Sequence, residues 1–336
     1  MNKISLTLGA LALLTHGAQA QAPKDESYYK GKTISIIVGF TPGGSYDAYA
    51  RMLARQMPQY IPGTPNIIVQ NMPGGGTLTA VRYLDGNSPK DGTMLAAFTS
   101  GLITSSIADP DSVKYNFSDL GWVGSITRDF SVCYAWHATG ITSLADAKAR
   151  KEYIIGDTAR GSSASINSTI LSQMLGVKVR TIMGYTGSAE SRIAIERGEL
   201  EGHCGAWVSL PQDWRAKKQI VPFVRFSRVA LPDMPESAVF AGDIVTSDDD
   251  RKLIDFLLAP SEVGRPFVVS KLVPADRLTT LRQAFAQTME NKEFLAEAER
   301  LALPVSPILG EEAQKMVADI YQAPAALVQR GRAVLK

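Results

Sequence analysis

The sequence predicts an α/β fold of two lobes, and three observations predict it. The chain has 336 residues, too many for one small core and enough for two domains of ordinary size. Its first hundred residues past the N-terminal segment alternate apolar runs, glycine-bearing breakers and amphipathic helical stretches. That alternation specifies a mostly parallel sheet with helices on both faces. A second stretch with the same alternation follows. Hydrophobic residues make up 45% and charged residues 20%, a composition that folds rather than staying disordered.

The elements run as follows. Lys3, the apolar residues 4–14 and Ala18-Gln19-Ala20 form an export signal cleaved after Ala20. The apolar stretch is too short and too interrupted for a membrane span of about 20 residues. No cysteine follows the cleavage point, so no lipid anchor is expected. Residues 33–40 read as a buried strand through Ile34, Ile36, Ile37 and Val38. Thr41-Pro42-Gly43-Gly44-Ser45 breaks it, and Ala50, Leu53, Ala54 and Met57 open one helical face. Residues 66–70 form a second strand, followed by a Pro73-Gly74-Gly75-Gly76 loop and a helix; residues 93–98 form a third.

The second unit has strands at 130–136, 153–156, 178–183 and 221–226, with a helix burying Ile166, Ile170 and Met174. The last third is mostly helical. Ser247 caps a helix with Asp248, Asp249 and Asp250 in its first turn. Pro274 starts another, and a final one carries Ala313, Met316, Val317 and Ile320. The expected division is a signal over 1–20, one lobe from 21–128 with 229–336, and a second lobe over 129–228.

The chain advertises little catalytic chemistry. The formal net charge is +2 without a basic run, which gives no nucleic-acid footprint. Beyond the signal the histidines are His137 and His203, on separate segments. No nucleophile elbow, zinc-binding helix, phosphate loop or dinucleotide fingerprint is present. No cofactor and no metal are expected. Cys133 and Cys204 either pair in an oxidising compartment or remain two buried thiols; the preferred reading is the thiols.

What the chain does offer is anion-binding backbone. Thr41, Pro42, Gly43, Gly44 and Ser45 lie between a strand and a helix, where glycine permits close approach and the helix start supplies free N–H donors. Gly74, Gly75, Gly76 and Thr77 repeat the arrangement, and Arg160, Ser162 and Ser163 add a third loop. Residues 185–188, with Tyr185, are a fourth. Any one of them is as readily a plain turn. Asp47 either complements the helix dipole or meets a ligand amine or water.

At this level the sequence resembles a known group. Residues 39–47, 71–76, 88–93, 184–188 and 197–202, in that order, resemble Bug-type, TctC-like substrate-binding proteins of tripartite tricarboxylate transporters. The resemblance implies a type II periplasmic-binding-protein fold, with two α/β lobes around a cleft. It implies a ligand carboxylate held by residues 41–45 and 74–77, with Ser100 nearby and Ser162, Ser163, Tyr185 and Arg160 facing them. It further implies a monomeric periplasmic protein that hands its ligand to a two-component integral-membrane transporter. A sensor-kinase receptor of the same fold is the alternative. An exported hydrolase would need a histidine beside Ser162 or Ser163. The sequence departs from the group after Gly202, where His203-Cys204-Gly205 lacks the acidic residue common there.

Overall fold

A computed structural model describes residues 28–336; the expected signal and its cleavage point lie outside the described residues. Twelve strands are assigned: β1 (Thr33–Val38), β2 (Asn66–Asn71), β3 (Met94–Ala97), β4 (Gly121–Ser125), β5 (Ser131–Trp136), β6 (Tyr153–Asp157), β7 (Val179–Met183), β8 (Gly202–Ala206), β9 (Ile220–Arg225), β10 (Val239–Phe240), β11 (Pro266–Val269) and β12 (Ile308–Leu309). They form two six-stranded sheets, ordered β12-β4-β11-β3-β1-β2 and β10-β9-β5-β8-β6-β7.

In the first sheet β1 runs parallel to both neighbours, with Val38 opposite Asn71 and Ala97. The loops leaving β1, β2 and β3 therefore start side by side. In the second sheet β6 is parallel to β7 and β8, so its loops share one end as well. Strand alternation explains the helical layers on both faces. Leu95 and Ala97 join the core under helix Ser45–Gln56, while Ala96 and Phe98 join a second core around Phe117 and Trp122. The helix itself is rich in Ala, Arg, Leu and Met, which favour helix. It buries Tyr49, Met52 and Leu53 against Ile34, Ile36 and Val38. Each such side chain contributes about 1.5–3 kcal/mol on burial.

Ser247 caps helix Asp248–Leu258 by accepting from the Asp250 N–H, as its sequence specifies. Five strands and several helices were not legible. β4, β8, β10, β11 and β12 are short and lack alternation, and Pro266 opens β11. β11 is completed by β3 and β4, which lie far away in sequence. Helices Lys292–Arg300 and Ala325–Leu335 extend the helical final third. The second sheet also reaches past residue 228: β10 pairs with β9, and Leu253, Ile254 and Leu257 pack in that sheet's core. The expected division at 228/229 therefore cuts through one packing unit.

The two cysteines are the main correction. Cys133 on β5 stands directly opposite Cys204 on β8, and the two form a disulfide. Their pairing depends on a strand register between residues 71 apart, which no local pattern reveals. Closing so long a loop constrains the unfolded chain by about 2–4 kcal/mol. Replacing both cysteines by alanine is expected to lower stability by that amount in a urea titration, and the oxidised wild type should expose no free thiol when unfolded. A variant as stable as wild type contradicts the bridge.

Candidate functional site

The loop-bearing ends of the two sheets face each other across a cavity of about 80 Å³. That is several times the roughly 10–15 Å³ one water requires. Thr41, Gly44, Ser45, Tyr46 and Thr99 line it from the first sheet, and Thr158, Ser162, Gly187, Ser188 and His203 from the second.

Two helix starts dominate the lining. Helix Ser45–Gln56 follows Gly44 and helix Ser188–Glu196 follows Gly187, and neither has a side-chain cap. The first backbone bonds of their opening turns run from Ala48 N–H to Gly44 O at 3.1 Å and from Ser191 N–H to Gly187 O at 3.5 Å. The N–H groups of Ser45, Tyr46 and Asp47, and of Ser188, Ala189 and Glu190, precede those bonds and have no intrahelical acceptor. Each helix start also carries partial positive charge. Opposed across one small volume, they favour an anion. By contrast, helix Ser163–Thr169 is capped by the Ser162 Oγ, which accepts from Ser165 N–H.

The lobes touch directly around the cavity. The Thr41 Oγ1 donates to Glu190 at 3.1 Å, Ser209 Oγ to Ser45 Oγ at 2.8 Å, and Thr99 and Ser163 share a hydroxyl pair at 2.8 Å. The Gly101 N–H donates to Ser163 Oγ at 3.1 Å. Missing side chains make this approach possible. A Cβ on Gly101 would stand 2.4 Å from the Ser163 nitrogen, and one on Gly187 would stand 2.4 Å from the Thr41 hydroxyl.

Behind the cavity the two chain crossings are knitted together. Arg265 N–H donates to Thr127 O and to Ser125 Oγ, both at 3.1 Å, and Asp129 N–H donates to Ser261 O at 2.6 Å. The Arg265 guanidinium is 1% exposed. It donates to Gly264 O and Ser45 Oγ, stacks on the Tyr46 ring and pairs with Asp129 at 3.5 Å. Asp129 also lines the cavity. Losing either member of such a buried pair strands the other charge, at about 3–5 kcal/mol.

The structure sorts the predicted residues. Thr41, Gly44, Ser45, Ser162 and Ser163 come together on the cavity wall. Pro42 and Gly43 are exposed, and the Gly43 N–H is held by Asp47. Asp47 is buried away from the cavity and bound by Arg51 and Asn71. Burial alone would raise its pKa, but the bonds from Arg51, Asn71 and Gly43 hold the carboxyl below its usual range. It ties the first loop to β2.

Gly74, Gly75, Gly76 and Thr77 also stand off the wall. The three glycines take positive φ to turn the chain, Thr77 accepts from Thr99 N–H, and Gly76 abuts Ala159 of the opposite lobe. Ser100 lines an adjoining 20 Å³ chamber, where its buried Oγ has no partner. Arg160 is exposed and donates to Lys336 O. The Tyr185 ring packs on Gly156; its loop reaches the cavity through Gly187 and Ser188 instead. Sequence reasoning singled out the loop that holds Ser188 but did not place Thr99, Asp129 or His203 at the site, and none of these three sits in a recognisable local pattern.

The serine hydroxyls are committed elsewhere. Ser162 Oγ donates to Asp157 at 2.8 Å, and Ser163 Oγ bonds Thr99 and Gly101. Burial pushes the Asp157 carboxyl up to about 7, against the pull of the hydrogen bonds from Ser162 and Thr158. His203 bonds the Gly156 carbonyl, not a serine.

Two α/β lobes meeting over one small cavity define the architecture of a two-lobed binding protein. No family model matches the chain. Among curated proteins, a UPF0065 protein from Cupriavidus necator is 28% identical over 210 residues, covering 59% of each chain. The protein BugT from Bordetella pertussis is 25% identical over 197 residues, covering 57% of this chain and 60% of its own. The chain thus spans about three fifths of the length of these relatives. In fold it is similar to the periplasmic binding protein BugD, with TM-score 0.72, 16% identity, and coverage of 91% of this chain and 98% of that one. It is also similar to malate-bound MatC from Rhodopseudomonas palustris, with TM-score 0.71, 16% identity, and coverage of 91% and 99%. An adipate-bound R. palustris protein gives 0.70 at 17% identity, covering 90% and 97%. The Bug-type, TctC-like resemblance read from the loops is borne out, and the fold is that of two-lobed periplasmic binding proteins.

The contact at Gly101 yields a prediction. Gly101→Val should hold the lobes apart while leaving each sheet intact. Small-angle scattering should then report a larger radius of gyration than wild type under the same conditions. An unchanged radius would show that the lobes do not need this approach.

Proposed function

We propose that the chain is a periplasmic solute-binding protein that captures a small carboxylate-bearing molecule between its lobes. It then delivers that molecule to a two-component membrane transporter of the tripartite tricarboxylate type. The observation that carries this reading is the pair of uncapped helix starts flanking one small cavity. A carboxylate there accepts charge-assisted hydrogen bonds worth about 1.5–3 kcal/mol each. The malate and adipate held by proteins of similar fold are ligands of that class and size.

Closure follows from the same contacts. A ligand bridging both helix starts has higher affinity for the closed state and shifts the population toward it. The cross-lobe bonds from Thr41, Ser45 and Thr99 then hold a surface that a membrane partner reads.

A thermal-shift screen against small mono-, di- and tricarboxylates tests the reading. A bound acid at hundredfold excess over its Kd should stabilise the protein by about 2.7 kcal/mol. Gly44→Asp is the discriminating variant. Gly44 has φ −94° and ψ 171°, an extended backbone open to any residue, and aspartate is a good N-cap. The new carboxylate would occupy the donors itself and repel the ligand. The variant should fold at least as stably as wild type and lose the shift. A full response in Gly44→Asp places the binding elsewhere.

A further inference from the structure

His203 takes no part in the cross-lobe contacts, yet it lines the cavity. Its Nδ1 lies 2.7 Å from the Gly156 carbonyl oxygen. A carbonyl only accepts, so Nδ1 carries the proton and donates. In the neutral ring Nε2 then keeps its lone pair and is an acceptor.

The next question is where that lone pair lies. His203 and Gly205 are two apart on β8 and share a face. A Cβ on Gly205 would stand 2.4 Å from Nε2, so this edge of the ring overlies the glycine, and Gly205 itself lines the cavity. The missing side chain leaves the ring edge open to the cavity. Nε2 has no hydrogen-bond partner among the described residues. The ring is kept neutral by burial first, with the positive charge of Arg192 acting in the same direction; both hold its pKa below the usual histidine value. Asp129 also lines the cavity and can only accept when ionised.

We infer that His203 is a specificity residue that selects carboxylates bearing a hydrogen-bond donor, a hydroxyl, amide N–H or ammonium, on the part of the molecule away from the carboxylate at the helix starts. This inference rests on the carboxylate reading above and deepens it. The two sides of the cavity make opposite demands. The helix starts offer donors and take the anion, while Nε2 offers an acceptor. An acid without a donor leaves Nε2 without a partner on the ligand, and a second carboxylate placed there meets a lone pair.

Calorimetric titration of the full chain at neutral pH tests this with four acids of similar size. Succinate has no donor, malate has a hydroxyl, succinamate has an amide and aspartate has an ammonium. At least one donor-bearing acid should bind roughly tenfold more tightly than succinate, the worth of one net hydrogen bond. His203→Asn keeps an amide N–H for the Gly156 carbonyl and leaves nothing at the Nε2 position. It should erase the preference, so that the affinities of succinate and the donor-bearing acids converge. His203→Gln can present its amide oxygen near the Nε2 position and should retain part of the preference. The inference is overturned if succinate binds as tightly as the best of the others, or if His203→Asn keeps the wild-type ranking. Failure of all four acids to bind wild type would strike instead at the carboxylate reading, a result distinct from loss of ranking alone.

Discussion

The structure turns on backbone N–H groups that its own helices do not satisfy. A buried donor without a partner costs about 1–3 kcal/mol, so native chains normally cap them. Here two helices, Ser45–Gln56 and Ser188–Glu196, begin at glycines and leave their first turns uncapped at the same cavity. Some helices in the chain are capped by a side chain, by Ser162, Ser247 and Asn291, and others, such as Leu78–Gly86 and Ala275–Met289, are not. What sets the helices beginning at Ser45 and Ser188 apart is that they open on one cavity from two lobes. Donors left open on both sides of one small space favour negative charge there, which is the physical basis of the proposed carboxylate site.

The surrounding features hold this arrangement in place. Parallel pairing sets Val38 against Asn71 and Ala97, which aligns the loops of the first sheet. Asp47 then ties the first loop to β2 through Asn71 and Arg51. In the second sheet the Cys133–Cys204 bridge joins β5 to β8, the strand that carries His203. Arg265 and Asp129 bind the two crossings to each other and to the start of helix Ser45–Gln56 through the Ser45 Oγ. Charge, covalent linkage and strand register each restrain a different piece of the cavity wall. The glycines at 101 and 187 let the pieces meet.

Much of this is written locally in the chain, and some is not. The alternation over residues 33–101 is legible because β-branched runs, breakers and helical faces follow one another within a few residues. The first loop is legible for the same reason: a glycine pair stands between a strand and a helix. The second loop is less legible: Gly74, Gly75 and Gly76 have the same composition, yet they turn the chain at positive φ and stand off the cavity wall. Asp47 was ambiguous because only one of its partners, Arg51, is a helical neighbour, while Asn71 arrives from another strand. The disulfide, the short strand β11 and the contribution of His203 all depend on register between segments distant in sequence. No window along the chain contains that information.

Amide-resolved NMR is the most direct test of the central claim. On adding malate to isotopically labelled protein, the backbone amides of Ser45, Tyr46, Ser188 and Ala189 should show the largest downfield proton shifts and slowed exchange with solvent. Shifts confined to other regions, such as residues 74–77, with both helix starts unmoved, would contradict it.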